Sequence, residues 1–227
     1  MKALIYKELK LSMHPICYVF IAMFPLMILI PSYPIAIGFI YVLTCYPILF
    51  LGANKGQQSN DLLYSTLLPV RKKDIVMARI FTVIFMQVVF MIVMSALYPL
   101  ARFINASIAA NSKDPNGNVV PGLGLNSYVL VLAIAIIGYA IADLIFFPIY
   151  YKHGKSIVMS TLFTILGFVT YIGVFTIGLP FVPGFEIMNN MHLGIQFAIL
   201  GGAILISLLL HLAVYKISSK RLERVDF

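Results

Sequence analysis

The stretch 128–151, YVLVLAIAIIGYAIADLIFFPIYY, contains one charged residue, Asp143, among apolar, aromatic and small side chains. A helix needs roughly 20 apolar residues to cross the hydrocarbon core of a bilayer, and this run supplies them. Lipid offers no hydrogen-bond partner to a bare backbone, so the segment has to be a helix. Working outward, runs of the same character occupy 157–179 and 193–215 on one side, and 78–100, 34–51 and 11–30 on the other. The 34–51 run is slightly short and borrows flanking residues. The expectation is an all-α, polytopic membrane protein with six transmembrane helices in a single transmembrane domain covering 1–227.

Composition agrees. Of the 227 residues, 61% are hydrophobic and 11% charged, against roughly 45–50% apolar in ordinary globular chains. That leaves too little polar surface for a sizeable soluble domain beside the helices. Cys17 and Cys45 lie inside apolar runs with no CxxC or Cys/His spacing, so neither a disulfide framework nor a metal site is expected. The net charge of +8 does not signify nucleic acid, because the basic residues form short clusters beside spans and no aromatic-basic platform accompanies them.

Those clusters give the orientation. Lys2, Lys7 and Lys10 precede the first span. Lys55, Arg71, Lys72, Lys73 and Arg79 surround the second connection, Lys152 and Lys155 lie in the fourth, and Lys216, Lys220, Arg221 and Arg224 follow the last span. Of the 16 basic residues only Arg102 and Lys113 fall on the other side. The positive-inside rule then places both the N- and C-termini in the cytoplasm, which requires an even number of spans.

The start of the chain is basic and then apolar, as in a signal peptide, but Pro31-Ser32-Tyr33-Pro34 offers no small-residue cleavage site and a second apolar run follows at once. A retained hairpin is expected. Leu4, Ile5, Leu9 and Leu11 interleave with Lys7, Glu8 and Lys10, which suits an amphipathic helix on the cytoplasmic leaflet; a solvated tail is the alternative. The outer loop, 102–126, is expected from Asn111 to Asn118 and Pro121 to Gly124, which are turn chemistry. Asn105-Ala106-Ser107 matches a glycosylation triplet and receives no function.

The cytoplasmic connection 54–77 reads NKGQQSNDLLYSTLLPVRKKDIVM. Leu63, Leu67 and Val70 stand at helical spacing, Pro69 can break that helix, and Asp74 can cap the next one. Arg71, Lys72 and Lys73 supply charge beside the membrane. A short amphipathic helix parallel to the membrane is expected, either resting on lipid or receiving a partner.

Asp61-Leu62-Leu63 and the stretch from Leu68-Pro69-Val70-Arg71 through Lys72-Lys73-Asp74-Ile75-Val76 resemble the coupling-helix region of the membrane subunits of type-2 ATP-binding-cassette exporters. Phe147-Pro148-Ile149-Tyr150-Tyr151-Lys152-His153-Gly154-Lys155 is similar to a Pro-Leu-Tyr-Tyr-Lys-x-Gly signature of a bacterial subgroup that includes the phenol-soluble-modulin exporter permeases. The resemblance covers the whole topology. It implies a permease in the bacterial cytoplasmic membrane that pairs with a second permease subunit, identical or different. It also implies a separate ATP-binding-cassette ATPase that uses ATP and magnesium, and motor movement received through Asp61, Leu62, Leu63, Tyr64, Leu67, Leu68, Pro69 and Arg71. No cofactor is expected in this chain. Gly154-Lys155-Ser156 matches the end of a phosphate-binding loop, but Ile149 stands where its first glycine belongs and no strand precedes it, so the chain is not expected to be an enzyme.

Asp143 is the one acidic residue inside an expected span, where a charge costs roughly 2.5–3.5 kcal/mol on insertion scales. It must face the bundle, a cavity or a cation. Pro148 removes the donor that would bond the Leu144 carbonyl and can kink the helix there. Together they are candidates for the transport path or a gate; the plainer reading is a structural pair, for example with Arg79 or Lys152. Gly194, Ala198 and Gly202 form a small-residue face suited to close helix contact within or between subunits. His211 reads as an interfacial or hydrogen-bonded residue, with no second metal ligand spaced beside it. Three functions follow in order: an exporter permease for an amphipathic or hydrophobic substrate, with peptides included; a passive channel or ion-coupled carrier using Asp143; and a membrane enzyme, which no catalytic motif supports.

Overall fold

The computed structural model describes residues 2–12, 15–23, 25–26, 69–111, 128–153, 157–174 and 192–224. Every element among them is helical. Helix α1 (Lys2–Lys7) runs into a π-helical turn, Glu8–Ser12, and is followed by α2 (Pro15–Met23). Helices α3 (Lys72–Asn111), α4 (Tyr128–His153), α5 (Ile157–Gly173) and α6 (Leu193–Glu223) build the bundle.

Three of these, α3, α4 and α6, are long and apolar enough to cross a membrane, and α5 is a shorter apolar helix. The expected 34–51 span and residues 61–68 of the coupling segment lie outside the described residues; the 11–30 span is described only in part. At about 1.5 Å per residue, the 40 residues of α3 extend about 60 Å, twice the hydrocarbon thickness. It therefore continues well past the expected end of its span, and 102–111, expected as loop, is helical. Asp74 is not the cap of this helix. It sits in the first turn, its amide donating to the Arg71 carbonyl (2.9 Å) and its carboxylate bound by Arg71 Nε (3.2 Å), where a negative charge favours the helix N-terminus.

The helices alternate in direction, and side-chain contacts show it. Asp143 and His211 meet, as do the ends of α4 and α6, where Arg221 Nη1 donates to the Pro148 carbonyl at 2.5 Å; α4 and α6 therefore run the same way. Tyr171 donates to the Ile134 carbonyl (3.0 Å), whereas Gly167 approaches Ile145, so α5 runs back along α4. Helix α3 begins beside the end of α6, where Lys73 pairs with Glu223 at 3.2 Å, and at its far end Tyr98 stacks on Tyr128 at the start of α4 (centroids 4.2 Å). This serpentine is the arrangement expected of successive membrane crossings.

The core forms along helical faces. Val76, Ile80, Val83, Met86, Phe90 and Met94 recur every three or four residues on α3 and are buried against Tyr139, Ala142, Phe146 and Phe147 of α4 and Val214 and Leu222 of α6. The opposite faces are equally apolar but exposed: Phe81, Phe85 and Ile92 on α3, Leu162 and Leu166 on α5, Leu205, Leu209 and Leu212 on α6. A bundle apolar on both sides is suited to lipid, not water. Three hydroxyls inside it bond within their own helix: Thr82 donates to the Ala78 carbonyl, Ser95 to Met91 and Thr164 to Ser160.

Candidate functional site

Two polar layers are built on the same helices. The inner one centres on Asp143, which is fully buried on α4. Gln87 of α3 donates from Nε2 to Asp143 Oδ2 at 3.1 Å, and His211 Nε2 of α6 lies 3.0 Å from the same oxygen. On the other side of the imidazole, His211 Nδ1 is 2.7 Å from the Ser207 carbonyl and 3.3 Å from the Ser207 hydroxyl. One carboxylate oxygen thus joins three helices. Helix α4 supplies it because α4 is the most enclosed of the three crossings, with half of its spanning window buried against 17% for α6. Pro148, also buried, lies about one and a half helical turns beyond in the direction of the second layer, and α4 stays helical through it to His153.

The second layer forms where α3 begins and α4 and α6 end. Arg79 is 3% exposed and Glu8 6%, and their side chains meet at 3.3 Å. Arg79 also donates from Nη1 to the Tyr150 hydroxyl at 3.0 Å, and its guanidinium lies 5.9 Å from that ring's centroid. Lys7 approaches Glu8 at 3.7 Å, and the Tyr18 hydroxyl donates to the Leu9 carbonyl at 2.6 Å. The N-terminal segment is therefore docked on the bundle through Leu4 and Glu8, which share one face, while Tyr6 points away. Burial of Leu4 and Glu8 excludes the solvated-tail alternative.

Of the expected coupling residues, Asp61, Leu62, Leu63, Tyr64, Leu67 and Leu68 lie outside the described residues. Pro69 and Arg71 are exposed and lead without a linker into α3 at Lys72. The small-residue face of α6 points outward: Gly194 and Ala198 are exposed, and a Cβ added at Gly194 or Gly202 meets nothing within 4 Å.

Across residues 3–223 the chain matches a family model described as an ABC-2 family transporter protein. It belongs to the ABC-2 transporter family. It is thus a multi-pass transmembrane permease component of an ATP-binding-cassette transporter, a transport subunit and not itself catalytic, and the family implies an ATP-binding-cassette ATPase as partner. No curated protein and no solved structure matches the chain significantly.

Within this ABC-2 family chain, Gln87, Ser207, Glu8 and Tyr150 join the two layers without having been expected there. Gln87 carried a signal, as a carboxamide in the middle of an apolar span. Glu8 carried another, an acid among the basic residues of an amphipathic stretch. The pairings carried none, since Glu8 and Arg79 are 71 residues apart and Asp143 and His211 are 68.

Proposed function

We propose that the chain is the permease subunit of an ATP-driven exporter that, with a second permease subunit, moves an amphipathic or hydrophobic molecule, peptides included, out of a bacterial cell. Membership of the ABC-2 family over 3–223 carries this reading, and the chain's own segment 54–77 supplies the mechanism. The ATPase binds and hydrolyses ATP with magnesium. Asp61, Leu62, Leu63, Tyr64, Leu67, Leu68, Pro69 and Arg71 form the coupling element, with Leu63 and Leu67 entering a groove on the ATPase and the polar members holding its rim.

The helix that follows supports transmission. Since α3 starts at Lys72, displacement of the segment is delivered to a continuous helix, and the Glu8–Arg79–Tyr150 contacts pass it to the N-terminal segment and α4. Replacing both Leu63 and Leu67 with Asp removes apolar burial and introduces unpaired charge at that interface. Expression and detergent elution should match the parent, while ATPase co-purification and transport both fall at least tenfold. Undiminished ATPase binding and transport in the double variant would sink the coupling assignment and favour the channel or ion-coupled carrier using Asp143.

A further inference from the structure

We propose that Asp143 and His211 form a proton-binding site inside the bundle, holding one proton more than an ionised carboxylate and a neutral imidazole possess. A neutral imidazole has one N–H and one lone pair. His211 presents both ring nitrogens to acceptors: Nε2 to Asp143 Oδ2 at 3.0 Å and Nδ1 to the Ser207 carbonyl at 2.7 Å. A carbonyl oxygen at 2.7 Å is hydrogen-bond distance, and no lone pair sits comfortably against it, so Nδ1 bears a proton. The Ser207 hydroxyl, at 3.3 Å from Nδ1, is the more distant of that residue's two oxygens. With Nδ1 protonated, the gap between Nε2 and Oδ2 closes only if a second proton lies in it, carried by the imidazole or by the carboxyl. In either form the pair is neutral overall, which removes the penalty of a bare buried charge.

Few charged or titratable groups stand near the pair on the described helices. On α3, Gln87 is uncharged and donates to the same Oδ2, and the nearest full charge along that helix is Arg79, about 12 Å away at 1.5 Å per residue and engaged with Glu8. On α4 the neighbours one and two turns off are Tyr139 and Tyr150, with Lys152 beyond; on α6 they are Tyr215 and Lys216. Helix α5 carries no acidic, basic or histidine residue, and α2 offers only Cys17 and Tyr18. Lys7 and Glu8 belong to the second layer, and Lys10 is exposed and donates to the Tyr6 hydroxyl.

Losing the proton breaks a helix contact. If Nδ1 keeps its hydrogen, the Nε2 lone pair faces the carboxylate; if Nε2 keeps it, the Nδ1 lone pair faces the Ser207 carbonyl. The Asp143–His211 bond between α4 and α6 is therefore tied to proton occupancy. The His211 side chain is 11% exposed and that of Asp143 is 0%.

The test is magic-angle-spinning NMR of the whole chain in lipid vesicles at pH 7, with ¹⁵N-histidine and ¹³C-aspartate labels. His211 is assigned by dipolar contact to a ¹³C-labelled Ser207 carbonyl, and Asp143 by contact with His211 Nε2, so no variant need fold. Two protons among Nδ1, Nε2 and the Asp143 carboxyl are expected, one of them on Nδ1. A single proton, on either nitrogen, beside an ionised Asp143 overturns the proposal. The measurement uses no nucleotide, ATPase or transported molecule, so it stands or falls separately from the exporter reading.

Discussion

Glu8 and Arg79 show how one residue pair can hold a terminal segment in place. Both are removed from water, which costs several kcal/mol per ion, and their mutual attraction with the Tyr150 hydroxyl offsets that cost only while all partners are present. Removing one partner leaves a buried charge unbalanced. Arg79→Met alone and Glu8→Leu alone should each destabilise the detergent-solubilised protein by about 3–5 kcal/mol, whereas the double substitution should recover most of the loss, as apolar replacements of whole buried pairs do. Thermal unfolding of the four proteins checks this. Additive losses would mean that the two side chains act independently and that the N-terminal segment is held by Leu4 and its apolar neighbours alone.

At the scale of elements, α4 is the helix against which α5 and α6 are placed, and glycine sets how close α5 comes. A Cβ at Gly138 would lie 2.9 Å from ring atoms of both Phe168 and Tyr171, whereas one at Gly167 would meet the movable end of Ile145. The two rings are rigid, and Tyr171 is tied to the Ile134 carbonyl, so the helix must shift. Gly138→Ala should therefore cost about 1–3 kcal/mol, against a much smaller effect for Gly167→Ala, read as thermal midpoints in detergent. Equal midpoints would show that the α4–α5 crossing tolerates slack. Helix α4 is legible in the residues alone, because a long run with one charge has no alternative to crossing the membrane. The end of α3 is not: Arg102, Asn105, Ser107 and Asn111 look like loop residues, yet alanine and isoleucine among them keep the helix going to Asn111. Asp143 is recognisable from its position as a buried charge, but its partners sit on helices whose facing directions depend on packing that residue spacing along one helix does not reveal.

For the whole molecule, the alternation of α3, α4, α5 and α6 brings one set of ends together. Lys73 meets Glu223, Arg221 meets the Pro148 carbonyl, and Arg79 meets Glu8 and Tyr150, so the N-terminal segment and the end of α6 lie at the same end of the bundle. Lys7, Lys10, Lys72, Lys152, Lys216 and Lys220 belong to the same set of ends. Arg102 lies toward the opposite end of α3. A folded bundle thus gathers charges that are scattered along the sequence into one basic end, and basic residues near spans are retained in the cytoplasm during insertion. Reporters fused before Met1 and after Phe227 should therefore both be cytoplasmic, and one inserted at Asn116 external, with cysteine labelling by a membrane-impermeant reagent as an independent check. Termini on opposite sides would break the expected six-crossing arrangement even though the contacts at the basic end remained. An external location for both termini would keep the serpentine but reverse it, placing segment 54–77 where no ATPase could reach it, and the coupling role would fail with the topology.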